Sequence, residues 1–297
     1  MLAALVSFLL EYMVFALMLA VGCGARSDQL ADLRNRPRLY ARALAVILIG
    51  VPLLAMIVVR ALDVSPRAAG LILLMSVCPG APFIATATKA KGETHSPVGL
   101  NLLVLVSAVV PVSVPIWVAI LERIYPVDLA IAPAQVLRTV IPSVLLPLLV
   151  GVAVRRLVPR AADVVGRVAH YFFMVAIAAA VVVVLALGAQ VFREVSPITY
   201  LAVLIIVTGS ALLGYWAARP APEERRVLGV AAVLGNPGLA LAIVAASYPG
   251  FKAAAFMAAY VLFRKVALIP FEQWIKRRTT PTALPPSLGD TGHAFAS

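Results

Sequence analysis

Ser76-Val77-Cys78-Pro79-Gly80-Ala81-Pro82 interrupts an apolar run that extends over 68–89. A run of that length can cross a bilayer core of about 30 Å as a helix. Its middle holds two prolines and a glycine. Proline removes a backbone donor and clashes with the preceding turn, and glycine lowers helix stability. In hydrocarbon, the freed backbone groups need partners in the protein or in a water-filled cavity. One such cluster reads as a kink, because Pro and Gly are common in membrane helices. A second cluster, Leu234-Gly235-Asn236-Pro237-Gly238, interrupts the apolar run 226–247.

Outward from these two breaks, the rest of the chain is of the same kind. Of its 297 residues 63% are apolar and only 13% charged, and the mean hydropathy is +1.01. A soluble domain carries about 25% charged residues. Half that charge cannot cover a water-facing surface, which excludes a soluble globular enzyme, a disordered chain and a dedicated nucleic-acid-binding domain. Nine segments are apolar and long enough to span: 3–22, 43–62, 68–89, 97–121, 137–154, 169–191, 197–217, 226–247 and 253–274. The run from Leu2 to Val21 has no basic flank before it and is too long for a signal peptide, so it reads as the first span. The expected fold is an all-α polytopic membrane protein with one transmembrane domain over 1–278. The stretch 279–297, rich in Pro, Thr, Ser and Gly, reads as a disordered cytoplasmic tail.

The breaks fall in the third and eighth segments, five spans apart. An odd offset makes the two broken helices run in opposite directions. That is the pattern of an inverted repeat whose discontinuous helices meet at a substrate site. With five helices per unit, 1–121 is the first repeat, lacking its first helix, and 137–278 is the second.

Charge sets the orientation. With the N-terminus outside, the inner loops receive 17 of the 25 Lys and Arg, and the outer loops six: Arg60, Arg67, Arg123, Arg138, Arg193 and Lys252. Basic residues collect on the cytoplasmic side, so this split predicts a multi-pass protein of the cell (inner) membrane, N-terminus out and C-terminus in. Most of the +12 net charge thereby becomes a topology signal and implies no nucleic-acid partner.

Arg264 and Lys265 are the remainder. They sit about twelve residues into the ninth segment, where a charge costs roughly 2.5–3.5 kcal/mol on insertion scales. Either both snorkel to the inner face or they line a cavity. The cavity reading makes them a fixed cation facing an anionic substrate. Glu11 is the carboxylate well inside the first eight spans; with Asn101 and Ser107 of the fourth segment it is the candidate ion-coupling set. Ser76, Thr86 and Thr88 lie near the first break, although Ser and Thr in membrane helices commonly serve as helix–helix hydrogen bonds. The N-terminal ends of broken half-helices favour an anionic group, and the expected substrate-binding residues are Pro79, Gly80, Pro82, Thr86, Asn236, Pro237, Gly238, Arg264 and Lys265. Cys23 and Cys78 make no disulfide or metal pattern. His95, His170 and His293 are scattered, and no nucleophile–base pair or metal motif is visible, so an enzyme is not expected.

The stretch from Met18 through Gly92 resembles the bile acid:sodium symporter family. The resemblance runs through the Arg-rich Leu33-Arg34-Asn35-Arg36-Pro37, then Val51-Pro52-Leu53-Leu54-Ala55, then Gly70-Leu71-Ile72-Leu73. It closes on Cys78-Pro79-Gly80 and Lys89-Ala90-Lys91-Gly92. Asn236-Pro237-Gly238-Leu239-Ala240 adds a match in the second half, and the likeness continues to about Trp274. The resemblance implies inverted five-helix repeats, a panel domain and a core domain, and two broken helices crossing near the membrane centre. It also implies uptake of organic anions such as bile acids, sterol conjugates or small carboxylates, usually with sodium.

The sequence departs from that family where it would bind ions. Phe83-Ile84-Ala85-Thr86 stands where Ser-Asn is usual, Ile47 where a Gln is usual, and about Ala231 where a Glu is usual. Neither crossing helix contains Asp or Glu, and a hard cation wants several oxygen ligands. The departure argues against the usual two-sodium coupling. The expected function is a secondary transporter of a small organic or amphipathic anion working by alternating access, with Na+ or H+ as the candidate coupling ion and no resident metal or cofactor. The alternative is a membrane ligand sensor that keeps the fold without coupled transport.

Overall fold

The computed structural model describes residues 2–25, 29–80, 84, 97–125, 134, 137–138, 141–219, 224–237, 239–240, 243 and 251–279. These residues are helical nearly throughout. Helix α1 covers Leu2–Gly24, α2 Gln29–Asn35, α3 Pro37–Ala61, α4 Pro66–Val77 and α5 Pro97–Ile124. They are followed by α6 Leu146–Leu157, α7 Pro159–Glu194, α8 Pro197–Ala217, α9 Arg225–Val233 and α10 Phe251–Thr279. Pro37, Pro66, Pro97, Pro159 and Pro197 each open a helix. There the missing N–H costs nothing, and the fixed φ is already helical.

By length and composition α3, α8 and Val98–Ile124 of α5 can each cross a bilayer. Helices extend beyond several of the apolar segments. The second segment, expected at 43–62, begins at Pro37, and the sixth, expected at 169–191, belongs to the 36-residue α7. At 1.5 Å per residue α7 is about 54 Å long, well over the bilayer core. Its first turns carry Arg160, Asp163 and Arg167 and extend past the apolar part. The tail after Thr279 lies outside the described residues.

The helices fall into two groups that meet where α7 packs on α10 and where Val14 and Met18 of α1 join the main core. Helices α1, α6 and α7 form one, with Met13 and Leu17 against Phe173 and Ala176. Their closeness depends on small residues: a Cβ on Gly22 would lie 2.3 Å from the Leu148 carbonyl oxygen, and one on Gly151 2.5 Å from that of Leu19. Without a hydrophobic drive between helices in lipid, such backbone contact is what holds membrane helices together. Arg155 fastens the same group at one end, donating to the Cys23 carbonyl and pairing with Asp163 at 2.7 Å. The second group comprises α3, α4, α5, α8, α9 and α10 around the main core.

Helix α3 contains a π turn, Val46–Gly50, immediately before Val51-Pro52. Pro52 cannot donate to the carbonyl four residues back, that of Leu48. Trp117 of α5 donates its indole Nε1–H to that carbonyl at 2.7 Å. A second π turn, Ile141–Leu145, precedes Leu146-Pro147 in the same way. Trp117→Phe keeps the ring and removes the donor. Leaving this part-buried carbonyl unpaired costs up to about 1–3 kcal/mol, so the variant unfolds at a lower temperature in detergent. An unchanged midpoint would show that water takes over the Leu48 carbonyl.

Candidate transport site

The first break ends α4 at Val77 and the second ends α9 at Val233; Cys78 leaves helical geometry and Leu234 is extended, so neither helix makes a further turn. The two extended pieces lie antiparallel and pair as a short bridge, Pro79 against Gly235. The Gly80 N–H donates to the Leu234 carbonyl at 2.6 Å, and the Asn236 N–H donates to the Cys78 carbonyl at 2.7 Å. Backbone groups orphaned by one broken helix are thus satisfied by those of the other, as burial in an apolar interior requires. Only glycine fits: a Cβ on Gly80 would sit 2.6 Å from the Gly235 oxygen, and one on Gly235 2.9 Å from the Met75 oxygen.

After the bridge the chain turns helical again at Pro237, with Leu239, Ala240 and Ile243 helical as well. Asn236 is 3% exposed, and its Oδ1 accepts the Leu239 N–H at 3.1 Å. Asn236 therefore caps the second half-helix, with Pro237 at its first position. Its side-chain oxygen serves the backbone, a role the residue type allowed but the substrate-ligand reading did not anticipate.

Arg264 reaches this crossing from α10. It is 4% exposed, and its Nη1 donates to the Gly235 carbonyl at 3.2 Å. Its guanidinium carbon lies 6.0 Å from the Tyr260 ring centre, one helical turn away. Guanidinium carries five donors and no acceptor. Among the described residues no Asp or Glu lies within ion-pair distance of it. The segments 43–62, 68–89, 97–121, 197–217 and 226–247 contain neither acid at all. Glu272, the acid of 253–274, is eight residues along the helix, about 12 Å away.

Lys265, expected beside Arg264 in the cavity, is exposed. Consecutive helical residues are about 100° apart, so one faces the crossing and the other faces away. The structure does not bring the two cations together.

Beside the bridge lies a small cavity of about 20 Å³ between α3, α4, α8, α9 and α10, reached by Ile47 of the π turn, Val51 just after it, Ser76, Ser210, Gly235 and Tyr260. Its lining is mainly apolar. Ser76 donates to the Leu73 carbonyl at 2.6 Å. The Ser210 hydroxyl, buried, has no partner among the described residues.

The other expected site residues scatter. Pro79, Gly80 and Pro237 belong to the crossing. Pro82, Thr86, Thr88 and Gly238 lie outside the described residues, as does the side chain of Glu11. Asn101 belongs to the loop end of the core, where its Nδ2 donates to the Tyr40 hydroxyl at 2.9 Å. That hydroxyl donates to Asp32 at 2.5 Å. Arg36 then joins Asp32 at 3.3 Å to Glu224 at 3.4 Å. Asn101 is thus a structural link between the halves of the chain. Ser107 is fully buried in α5, without a partner among the described residues.

Apolar helices that cross a bilayer, with two interrupted helices pairing through backbone inside them, define a multi-pass membrane protein built as transporters are built. The chain matches the model of the sodium bile acid symporter family over residues 11–195, and it belongs to that family. Members are transporters, not enzymes. The matched stretch holds the first break, while the second break and Arg264 lie beyond it. No curated protein matches the chain.

Proposed function

We propose that this chain is a secondary transporter of a small organic or amphipathic anion, of the carboxylate or bile-acid and sterol-conjugate type. In this reading nine helices span the inner membrane with the N-terminus outside, as two inverted repeats of which the first lacks one helix. Helices α1, α6 and α7 are the panel; the other six spans are the core that carries the crossing. One group rocks against the other around a midplane site.

The observation that carries the reading is the buried guanidinium of Arg264 at the crossing. A charge buried without a partner is expensive, and the surrounding segments have no carboxylate to offer. The substrate's own anionic group is the natural counter-charge, which a guanidinium grips in bidentate fashion. The mainly apolar cavity beside it, about 20 Å³, is too small for the rest of an amphipathic molecule, so the rocking motion must widen it to admit substrate. Arg264 would then do the work of a coupling cation, making transport independent of sodium.

Purified protein in liposomes tests this with radiolabelled conjugated bile acid and short carboxylates. The tracer should enter saturably, and replacing sodium by choline should leave the rate within about twofold. Loss of uptake on sodium removal would refute the resident-cation reading but leave the transporter. Ligand binding without uptake, under sodium or proton gradients, would favour the sensor.

A further inference from the structure

At the end of the core where α8 stops and α9 starts, aromatic and basic side chains interleave. Arg219 lies over the Trp216 ring at 3.6 Å. Arg225 lies 5.1 Å from the Tyr215 ring centre and donates to its hydroxyl at 3.2 Å. Tyr215 packs on Trp274 of α10 at 5.1 Å. Arg42 of α3 joins the group by donating to the Arg219 carbonyl. Three elements thus bring arginines to one place and α10 adds Trp274, and this is the end that carries the Arg-rich loops.

Two features show that the cluster is incomplete. The Nε groups of Arg225 and Arg226 are buried, and neither has a partner among the described residues. The acids described nearby are engaged elsewhere: Asp32 and Glu224 both pair with Arg36. Meanwhile Trp216, 51% exposed, stands at the last turn of α8. An exposed Trp at a helix end marks the headgroup level of a bilayer, so the missing anion is at headgroup depth.

We propose that Arg42, Arg219 and Arg225, with Trp216, form a site for the phosphate of an anionic phospholipid. Guanidinium forks bind phosphate oxygens in pairs, and the Trp216 ring offers the acyl chain an apolar edge. Basic pockets between helices on the cytoplasmic side hold anionic headgroups in this way. A lipid seated there would brace the first turn of α9, the helix that leads into the second break.

The full chain, purified in detergent, is titrated with phosphatidylglycerol and with phosphatidylcholine of the same acyl chains and read by native mass spectrometry. Phosphatidylglycerol should bind about 125-fold more tightly, about fivefold for each of three arginines. That preference collapses in Arg219→Gln/Arg225→Gln. It survives in Arg160→Gln, which removes an exposed charge from the other helix group. Arg42→Gln leaves the Tyr215 hydrogen bond intact and lowers the preference about fivefold, so a poorly folded double variant does not decide the matter. Equal retention of the two lipids, or the same loss in Arg160→Gln, would overturn the site. Displacement by millimolar inorganic phosphate would assign it to a soluble anion instead.

Discussion

Gly80→Ala should abolish transport and lower the stability of the purified protein. The new Cβ would stand 2.6 Å from the Gly235 oxygen and 2.8 Å from its carbonyl carbon. Both neighbours are backbone and cannot rotate away, so the two extended pieces must separate. Separation breaks the Gly80–Leu234 and Asn236–Cys78 hydrogen bonds. Each leaves buried groups unpaired at about 1–3 kcal/mol, for a total of about 2–6 kcal/mol. Thermal unfolding in detergent and tracer uptake read the two consequences. Gly24→Ala is the control: nothing lies within 4 Å of its added Cβ, and its midpoint should hold or rise slightly, as helix propensity favours alanine. If Gly80→Ala behaved like Gly24→Ala, the crossing would not be held by this bridge.

Arg264→Gln carries the second large effect, and its signs are opposite for binding and for folding. Gln retains a donor for the Gly235 carbonyl and removes the charge. Removing one partner of a buried charge pair costs about 2–5 kcal/mol, so anion affinity should fall at least about 30-fold. Without substrate, the same change removes an unpaired buried charge, so the unfolding midpoint should stay level or rise. Arg264→Lys keeps the charge but loses the planar fork, and its affinity should lie between the two. Unchanged affinity in Arg264→Gln with an intact fold would place the anion elsewhere. A fall in both affinity and midpoint would make Arg264 a structural brace of Gly235.

The comparison of the two cations shows how far a linear reading reaches. Arg264 and Lys265 share the same depth, and the insertion penalty applies to both alike. Which one turns inward depends on the rotational setting of α10 against α4 and α9. No local property of Phe263-Arg264-Lys265-Val266 encodes that setting. Asn101 and Ser107 illustrate a related gap. Both are polar groups in an apolar helix, and the rule that buried polar groups need partners applies to each. It does not say that Asn101 finds Tyr40 at the loop end of the core, nor that Ser107 has no partner among the described residues.

The breaks at Cys78-Pro79-Gly80 and Gly235-Asn236-Pro237 were legible from residue chemistry alone. A missing N–H and a missing Cβ are intrinsic to proline and glycine wherever they stand. The membrane character follows just as directly, because a deficit of charge cannot be repaired by folding. Likewise the Trp117 indole is visible as a donor and Pro52 as a missing one, but 65 residues separate them, and only helix packing makes the one answer the other's vacant carbonyl. The pairing of the two breaks across more than 150 residues is of the same kind. Hydrogen bonds act over about 3 Å, so their partners are chosen by the meeting of helices rather than by neighbours along the chain. That is why the chain's composition announces a transporter-like membrane protein, whereas the Gly80–Gly235 crossing and the guanidinium resting on it exist only once the helices have packed.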